Sequence, residues 1–393
     1  MKKHYFIFAA AFFFALGSNI LGFSLIFRLT DLFSFTPGRI GIFIAFGQLA
    51  FFLGANLYHR FGAAFDPDRV FPVAALMAFT ASIPLSFIPV EAVAYVSYWI
   101  LMMGGGLFWP PVMAWLTAGL DNNDMNREMG IFNRCWMGAL MVGPLIAGGL
   151  YRWNSTLNFL ILIFSYFLVN LLIYLMRLYS KKTAGSKTAR TRSPDHGSIN
   201  TARTMNVKLD FYRYRGWANG FFSSVFISVL VNIIPLHIRD GLGHTEQSAG
   251  IMLFIRCAAG FVGFSVLAKF TAWHFNRFWF MVLQAGLILC TFFFMFAGDS
   301  LMFYYIIVVF YGFINAACYN NSMFYSSVTG NNPKKNLAAH EIFLCLGSAA
   351  GTTGGGFAYQ HFGFAGACIF FVMILALGMA LLVYFDRKAR VYP

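Results

Sequence analysis

The chain has 393 residues, of which 59% are hydrophobic and only 11% charged; its mean hydropathy is +0.67 and its formal net charge +14. Soluble domains carry about 25% charged residues, so this composition excludes a soluble enzyme or a free nucleic-acid-binding domain. The basic excess therefore needs an explanation other than nucleic acid.

Apolar runs of the roughly 20 residues needed to cross a bilayer recur along the whole chain. Six fall near 4–27, 37–59, 69–90, 92–119, 127–150 and 155–177, and six more near 211–237, 246–269, 276–297, 300–328, 336–360 and 363–385. Backbone groups in lipid must be satisfied internally, so each run is expected to be a helix; the short alternating segments of a membrane β-barrel are absent. The expected fold is an all-α polytopic membrane protein with 12 transmembrane helices.

The N-terminal MKKHYFIFAAAFFFALGSN has the lysines, apolar core and small residues of a secretory signal. Its apolar run continues to Phe27, which is long enough to span, so a retained first helix is expected. The helix carries one amide, Asn19, and in the fourth run Trp109 precedes the helix-bending Pro110-Pro111. In the fifth, Arg134 lies with Gly130 and Gly138 at four-residue spacing, a small-residue stripe suited to packing against protein.

The segment 178–209 is rich in Ser, Thr, Lys and Arg, as a flexible linker is. It divides the chain into residues 1–177 and 210–393, six predicted helices each. Beyond it, Ser224, Ser228 and Asn232 form an i, i+4, i+8 stripe, and Arg256 falls near the middle of the eighth run with Gly260 and Gly263 on its face. Asn315 and Tyr319 share one face of the tenth. The eleventh opens on AAHEIFLCLGSAAGTTGGG, residues 338–356, where His340-Glu341 precedes a glycine-rich run. That run lacks the lysine of a phosphate loop and there is no H-E-x-x-H spacing. Gly347, Gly351 and Gly354 to Gly356 are read as a close-packing helix face, with Glu341 at its cytoplasmic entrance and His340 at the interface.

Placing the N-terminus inside puts Lys2, Lys3, Arg60, Arg69, the linker cluster, Lys269, Arg277, Lys334, Lys335, Arg387, Lys388 and Arg390 on one side of the membrane. Only Arg28, Arg39, Arg152 and Arg239 fall on the other, so the charge follows the positive-inside rule and both termini are expected in the cytoplasm. The bacterial inner (plasma) membrane is the expected location, with affinity for anionic lipid and none for nucleic acid. All six cysteines fall inside predicted helices without CxxC spacing, so no disulfide framework, metal site or cofactor is expected.

The two halves resemble each other. Residues 36–60 overlay 245–269 without a gap, matching Thr36, Gly41, Ile42, Ala50, Phe52 and Gly54 with Thr245, Gly250, Ile251, Ala259, Phe261 and Gly263. The same register pairs Asp31 with Asp240 and Asn122-Asn123 with Asn331-Asn332, as a duplicated six-helix unit would. Gly138 meets Gly347 in it, whereas matching the Gly-Gly pairs instead shifts by two and brings Arg134 onto Glu341.

Two pseudo-symmetric six-helix bundles joined by a basic linker are also the plan of a large transporter class, and over essentially its whole length the chain resembles the major facilitator superfamily. The loop Ala55 to Gly62, A-N-L-Y-H-R-F-G, is similar to that family's G-x-L-A-D-R-x-G signature; it keeps Leu57, Arg60 and Gly62 and has His59 at the acidic position. Gly138, Gly143-Pro144 and Gly148-Gly149 resemble the glycine-proline signature of proton-driven exporters with altered spacing. The resemblance implies alternating access around a midplane site, a cavity walled by the first, fourth, seventh and tenth helices, and closeness of the fifth and eighth.

Charges near the bilayer centre cost roughly 2.5–3.5 kcal/mol each on insertion scales, and a guanidinium suits carboxylate or phosphate. The expected substrate is therefore a small organic or phosphorylated anion held by Arg256 with Arg134. Asn19, Trp109, Ser228, Asn232, Asn315 and Tyr319 are expected to line the site, and Glu341 with His340 to couple protons or close a gate. A structural latch is the competing reading of each Arg. A neutral solute such as a sugar or nucleoside, or an amphipathic lipid or drug, is the alternative cargo. An intramembrane enzyme is remote, because nothing supplies a nucleophile or metal ligand, and no nucleotide-binding domain fits in the linker for an ATP-driven pump. A monomer is expected.

Overall fold

The structure, a computed structural model, describes residues 2–61, 67–117, 122–184, 207–267, 269, 272–329 and 333–391. Residues 185–206 of the predicted linker, Gly62 of the loop signature and Asn331-Asn332 lie outside the described residues. Among those described there is no strand.

The first six helices are α1 (Lys2–Phe33), α2 (Pro37–Phe61), α3 (Pro67–Phe87), α4 (Glu91–Thr117), α5 (Asn122–Tyr151) and α6 (Ser155–Ala184). Helix α7 (Val207–Asn232) runs on through a short turn, Ile234–Leu236, into a π-helical turn, His237–Gly241. The break falls at Ile233, two residues before Pro235, which cannot donate a backbone hydrogen bond. Then follow α8 (Glu246–Leu267), α9 (Arg277–Met295), α10 (Leu301–Val328) and a helical stretch, Pro333–Val391. Among the described residues eleven stretches are long and apolar enough to cross a membrane, and the last covers 55 residues. Gly363 divides it, with φ 66° and ψ −171°, a left-handed conformation that glycine adopts at no steric cost. The stretch is thus α11 (residues 333–362) and α12 (residues 364–391), which accounts for the twelfth crossing.

Six of the helices, α1, α2, α5, α6, α11 and α12, are longer than the apolar runs suggested. Chain hydropathy marks only the lipid-buried part, whereas helical hydrogen bonding continues into the polar flanks. So α5 begins at Asn122 and α6 ends at Ala184, inside the segment read as linker.

By its internal contacts the chain forms two compact units, Met1–Leu25 with Leu49–Thr201, and Ile26–Gln48 with Ala202–Pro393. In the first unit Phe14 stacks on Phe108 at 4.0 Å between ring centroids and meets Tyr166 edge-on. Buried Asn158 donates to the Ser24 hydroxyl (2.9 Å) and to the Ala147 carbonyl (2.8 Å), so this buried amide is spent on structure. Helices α2 and α4 approach so closely that a Cβ at Gly54 would strike the Met103 carbonyl, and one at Gly106 the Phe51 carbonyl.

In the second unit the same crossing recurs between α8 and α10. A Cβ at Gly263 would lie 3.2 Å from Ala316, and Gly263 and Ala316 correspond to Gly54 and Leu107 in the register read from sequence. The glycine face of α11 packs on α7: a Cβ at Gly347 would meet the Phe221 carbonyl at 2.5 Å, and one at Gly351 would strike Val225 and Ser228. Residues 26–48 join this unit through equally tight approaches, Gly41 to Thr352 and Gly356 to Pro37. Arg239 of the π turn bonds Asp31 at 2.9 Å and Asp240 at 2.6 Å, with Glu246 at 3.9 Å, so the register-matched Asp31 and Asp240 hold one guanidinium. Near the opposite end of α7, Arg215 pairs with Asp386 of α12 at 3.1 Å, both nearly inaccessible. All six cysteines are free thiols.

Candidate functional site

In the second unit α7, α8, α10 and α11 present polar side chains inside apolar helices. Tyr311, Asn315 and Tyr319 recur every four residues of α10 and so share a face. The Tyr311 hydroxyl donates to the Ser223 carbonyl (3.2 Å) and the Asn315 amide to the Ser223 hydroxyl (2.8 Å), fixing this face to α7.

Arg256 comes from α8 and is 9% exposed. Its Nη2 donates to the adjoining Cys257 Sγ at 2.9 Å, while its buried Nε has no hydrogen-bond partner. Among the described residues no carboxylate forms an ion pair with it. The backbone beside it is pinned, since a Cβ at Gly312 would sit 2.5 Å from the Arg256 carbonyl. Tyr311 lies within electrostatic reach of the guanidinium.

At the start of α11, His340 is 1% exposed, covered by α10. Its Nδ1 is 2.7 Å from the Ser322 hydroxyl and its ring packs edge-on against Tyr319 at 5.2 Å between centroids. Its Nε2 has no hydrogen-bond partner and is 3.9 Å from the Glu341 carboxylate, a side chain 58% exposed. Glu341 and His340 lie about 100° apart around the helix, so one turns outward while the other is covered.

The remaining residues singled out from sequence are placed differently. Ser228 donates to the Val225 carbonyl (2.9 Å) and Asn232 to the Ser228 carbonyl (2.7 Å); both are buried. The Ser224 and Ser228 stripe is the α7 side of the glycine seam with α11. In the first unit the Asn19 amide donates to the Ala15 carbonyl at 2.8 Å, and its Cβ faces Gly143. Trp109 belongs to an aromatic group with Phe14, Phe108 and Phe132. Arg134 is exposed and donates through Nε to the Gly130 carbonyl at 3.2 Å, a bond to its own helix.

Sequence reasoning missed Ser223, Tyr311 and Ser322. Serine and tyrosine are common in membrane helices as locally bonded residues, and only their partners distinguish these three. The four-residue spacing from Tyr311 through Asn315 to Tyr319 was the one available signal.

Comparison with known proteins follows this geometry. The crystal structure of the nucleoside transporter NupG superposes with a TM-score of 0.70 at 11% identity, covering 98% of this chain and 99% of that one. A POT family transporter in complex with 5-aminolevulinic acid gives 0.74 at 13% identity, covering 99% and 96%. A bacterial homolog of the human lysosomal transporter Spinster, in an inward-facing and occupied conformation, gives 0.69 at 12% identity, covering 98% and 96%. At such identities the likeness is one of fold. No curated protein matches in sequence. The family model of the Major Facilitator Superfamily matches residues 7–340, and the chain belongs to that superfamily of membrane transporters.

Proposed function

We propose that this transporter moves a small organic or phosphorylated anion by alternating access, with Arg256 as the anion-binding cation. One observation carries the reading: a guanidinium within an apolar span, buried, without an acidic partner among the described residues and with an unsatisfied Nε. Such a group is costly unless something anionic visits it, and its planar paired donors match a carboxylate or phosphate. Asn315 and Tyr319, on the face of α10 tied to α7, supply hydrogen bonds and an aromatic edge. Ser228 and Asn232 of α7 are assigned supporting places in the binding region. Glu341, beside His340, is the carboxylate that takes up and releases a coupling proton.

Both termini are assigned to the cytoplasm on the charge distribution of the loops, and the protein is assigned to the bacterial inner membrane as a monomer. A neutral solute is the second reading, favoured by the amide and phenol of Asn315 and Tyr319. Thermal unfolding of the purified protein with benzoate, inorganic phosphate or uridine separates the two. Stabilisation by an anion that disappears in Arg256→Ala supports the assignment. Stabilisation by uridine alone, or anion stabilisation unchanged in Arg256→Ala, overturns it.

A further inference from the structure

His340 and Glu341 are adjacent ionisable groups, and either one could in principle carry the coupling proton. We infer that Ser322 fixes His340 as a neutral imidazole protonated at Nε2, so that His340 presents a standing N–H to the Glu341 carboxylate and Glu341 alone carries the proton. The inference rests on the coupling role proposed for Glu341 and adds a positioning residue, Ser322, together with a division of labour between its neighbours.

The Ser322 hydroxyl has one hydrogen-bond partner, His340 Nδ1 at 2.7 Å. Two arrangements satisfy that distance. If Nδ1 carried the proton and Ser322 accepted it, the bare lone pair of Nε2 would face the Glu341 carboxylate 3.9 Å away, and the serine proton would be left without an acceptor. If Ser322 donates, its proton is used, Nδ1 accepts, and Nε2–H faces the carboxylate. Each arrangement satisfies one donor, but the second replaces a lone pair–anion contact with an attractive one. Nothing else competes for Nε2, which is buried and without a hydrogen-bond partner.

The titratable groups around the ring are Tyr319 from α10 and Glu341 from α11, with Cys345 one turn beyond Glu341. α7 closes on Ser322 with Gly220, which offers no proton. Among the described residues no lysine or arginine pairs with Glu341. At 3.9 Å the contact is longer than a hydrogen bond, so a small side-chain movement makes or breaks it.

The proton balance is simple. A proton from the cytoplasm binds the ionised Glu341 carboxylate, the His340 Nε2–H loses its charged acceptor, and the carboxyl group is released; deprotonation restores the contact. His340 gains and loses nothing, because Ser322 occupies its second nitrogen.

The test is nitrogen NMR of the full chain labelled with 15N-histidine in phospholipid nanodiscs, the His340 signals being assigned by their loss in His340→Gln. The expected result at neutral pH is an uncharged His340 ring protonated at Nε2. Ser322→Ala should lower the ratio of the Nε2–H to the Nδ1–H form by roughly tenfold, the equivalent of one hydrogen bond, and Ser322→Thr should restore it. An Nδ1–H or doubly protonated ring in the wild type, or an unchanged ratio in Ser322→Ala, overturns the proposal. The wild-type spectrum decides even if Ser322→Ala does not fold. The tautomer is read without any transport assay, so failure of proton coupling is distinguishable from failure of this inference.

Discussion

Arg256 and Arg134 show how two residues of the same type in similar sequence surroundings take different places. Both sit among glycines at helical spacing, and the sequence could not separate an anion-binding guanidinium from a helix latch. In the structure Arg134 is exposed and bonded to the Gly130 carbonyl, whereas Arg256 is buried with an unpartnered Nε. An unpaired buried charge destabilises the unliganded state, so Arg256→Met should raise the unfolding midpoint of the ligand-free protein by about 2–4 °C while abolishing stabilisation by benzoate or phosphate. A fall in the midpoint would show that the guanidinium is structurally satisfied. For Glu341, replacement by Gln leaves hydrogen bonding but removes the titration. In proteoliposomes Glu341→Gln should lose substrate-driven proton movement while retaining anion binding by thermal shift; proton movement at the wild-type rate would remove Glu341 from the coupling role.

The helices were largely legible from hydropathy because lipid leaves few alternatives to a hydrogen-bonded helix. What each glycine packs against was not legible, since that depends on which face meets which neighbour. Gly351 shows the consequence: its missing side chain lets α11 reach the backbone of α7 at Val225 and the hydroxyl of Ser228. Gly351→Val should overpack this seam and cost about 1–3 kcal/mol, read as a lower unfolding midpoint in detergent. The joint between α7 and α12 rests instead on charge. Asp386 is buried against Arg215 at 3.1 Å, with Arg277 at 3.7 Å. Asp386→Asn leaves a buried arginine without its acid and should cost about 3–5 kcal/mol. Adding Arg215→Met to that variant should recover part of the loss, and a double variant no better than the single one would show that the pair is not what holds α12.

At the scale of the whole molecule, the proposed membrane orientation rests on the charges of the loops. Trp153, 82% exposed between α5 and α6, is placed outside by the charge rule, and His274, between α8 and α9, inside. In a background lacking the native cysteines, Trp153→Cys in whole cells should react with a membrane-impermeant maleimide, and His274→Cys only after the membrane is opened. The reverse pattern would invert the assigned topology.

Length, composition and periodicity by themselves determined a helical membrane protein and its crossings. These properties are set by the chain's partition between lipid and water and by local hydrogen bonding, so they need no knowledge of neighbours. Tertiary structure decided the rest: that Gly363 rather than a polar loop ends the eleventh crossing, that residues 26–48 group with the second unit, that His340 is covered, and that Ser322 touches it. The physical reason is that a buried polar group acquires its meaning from what satisfies it or fails to, and the partners of His340 and Arg256 come from helices that only packing brings alongside.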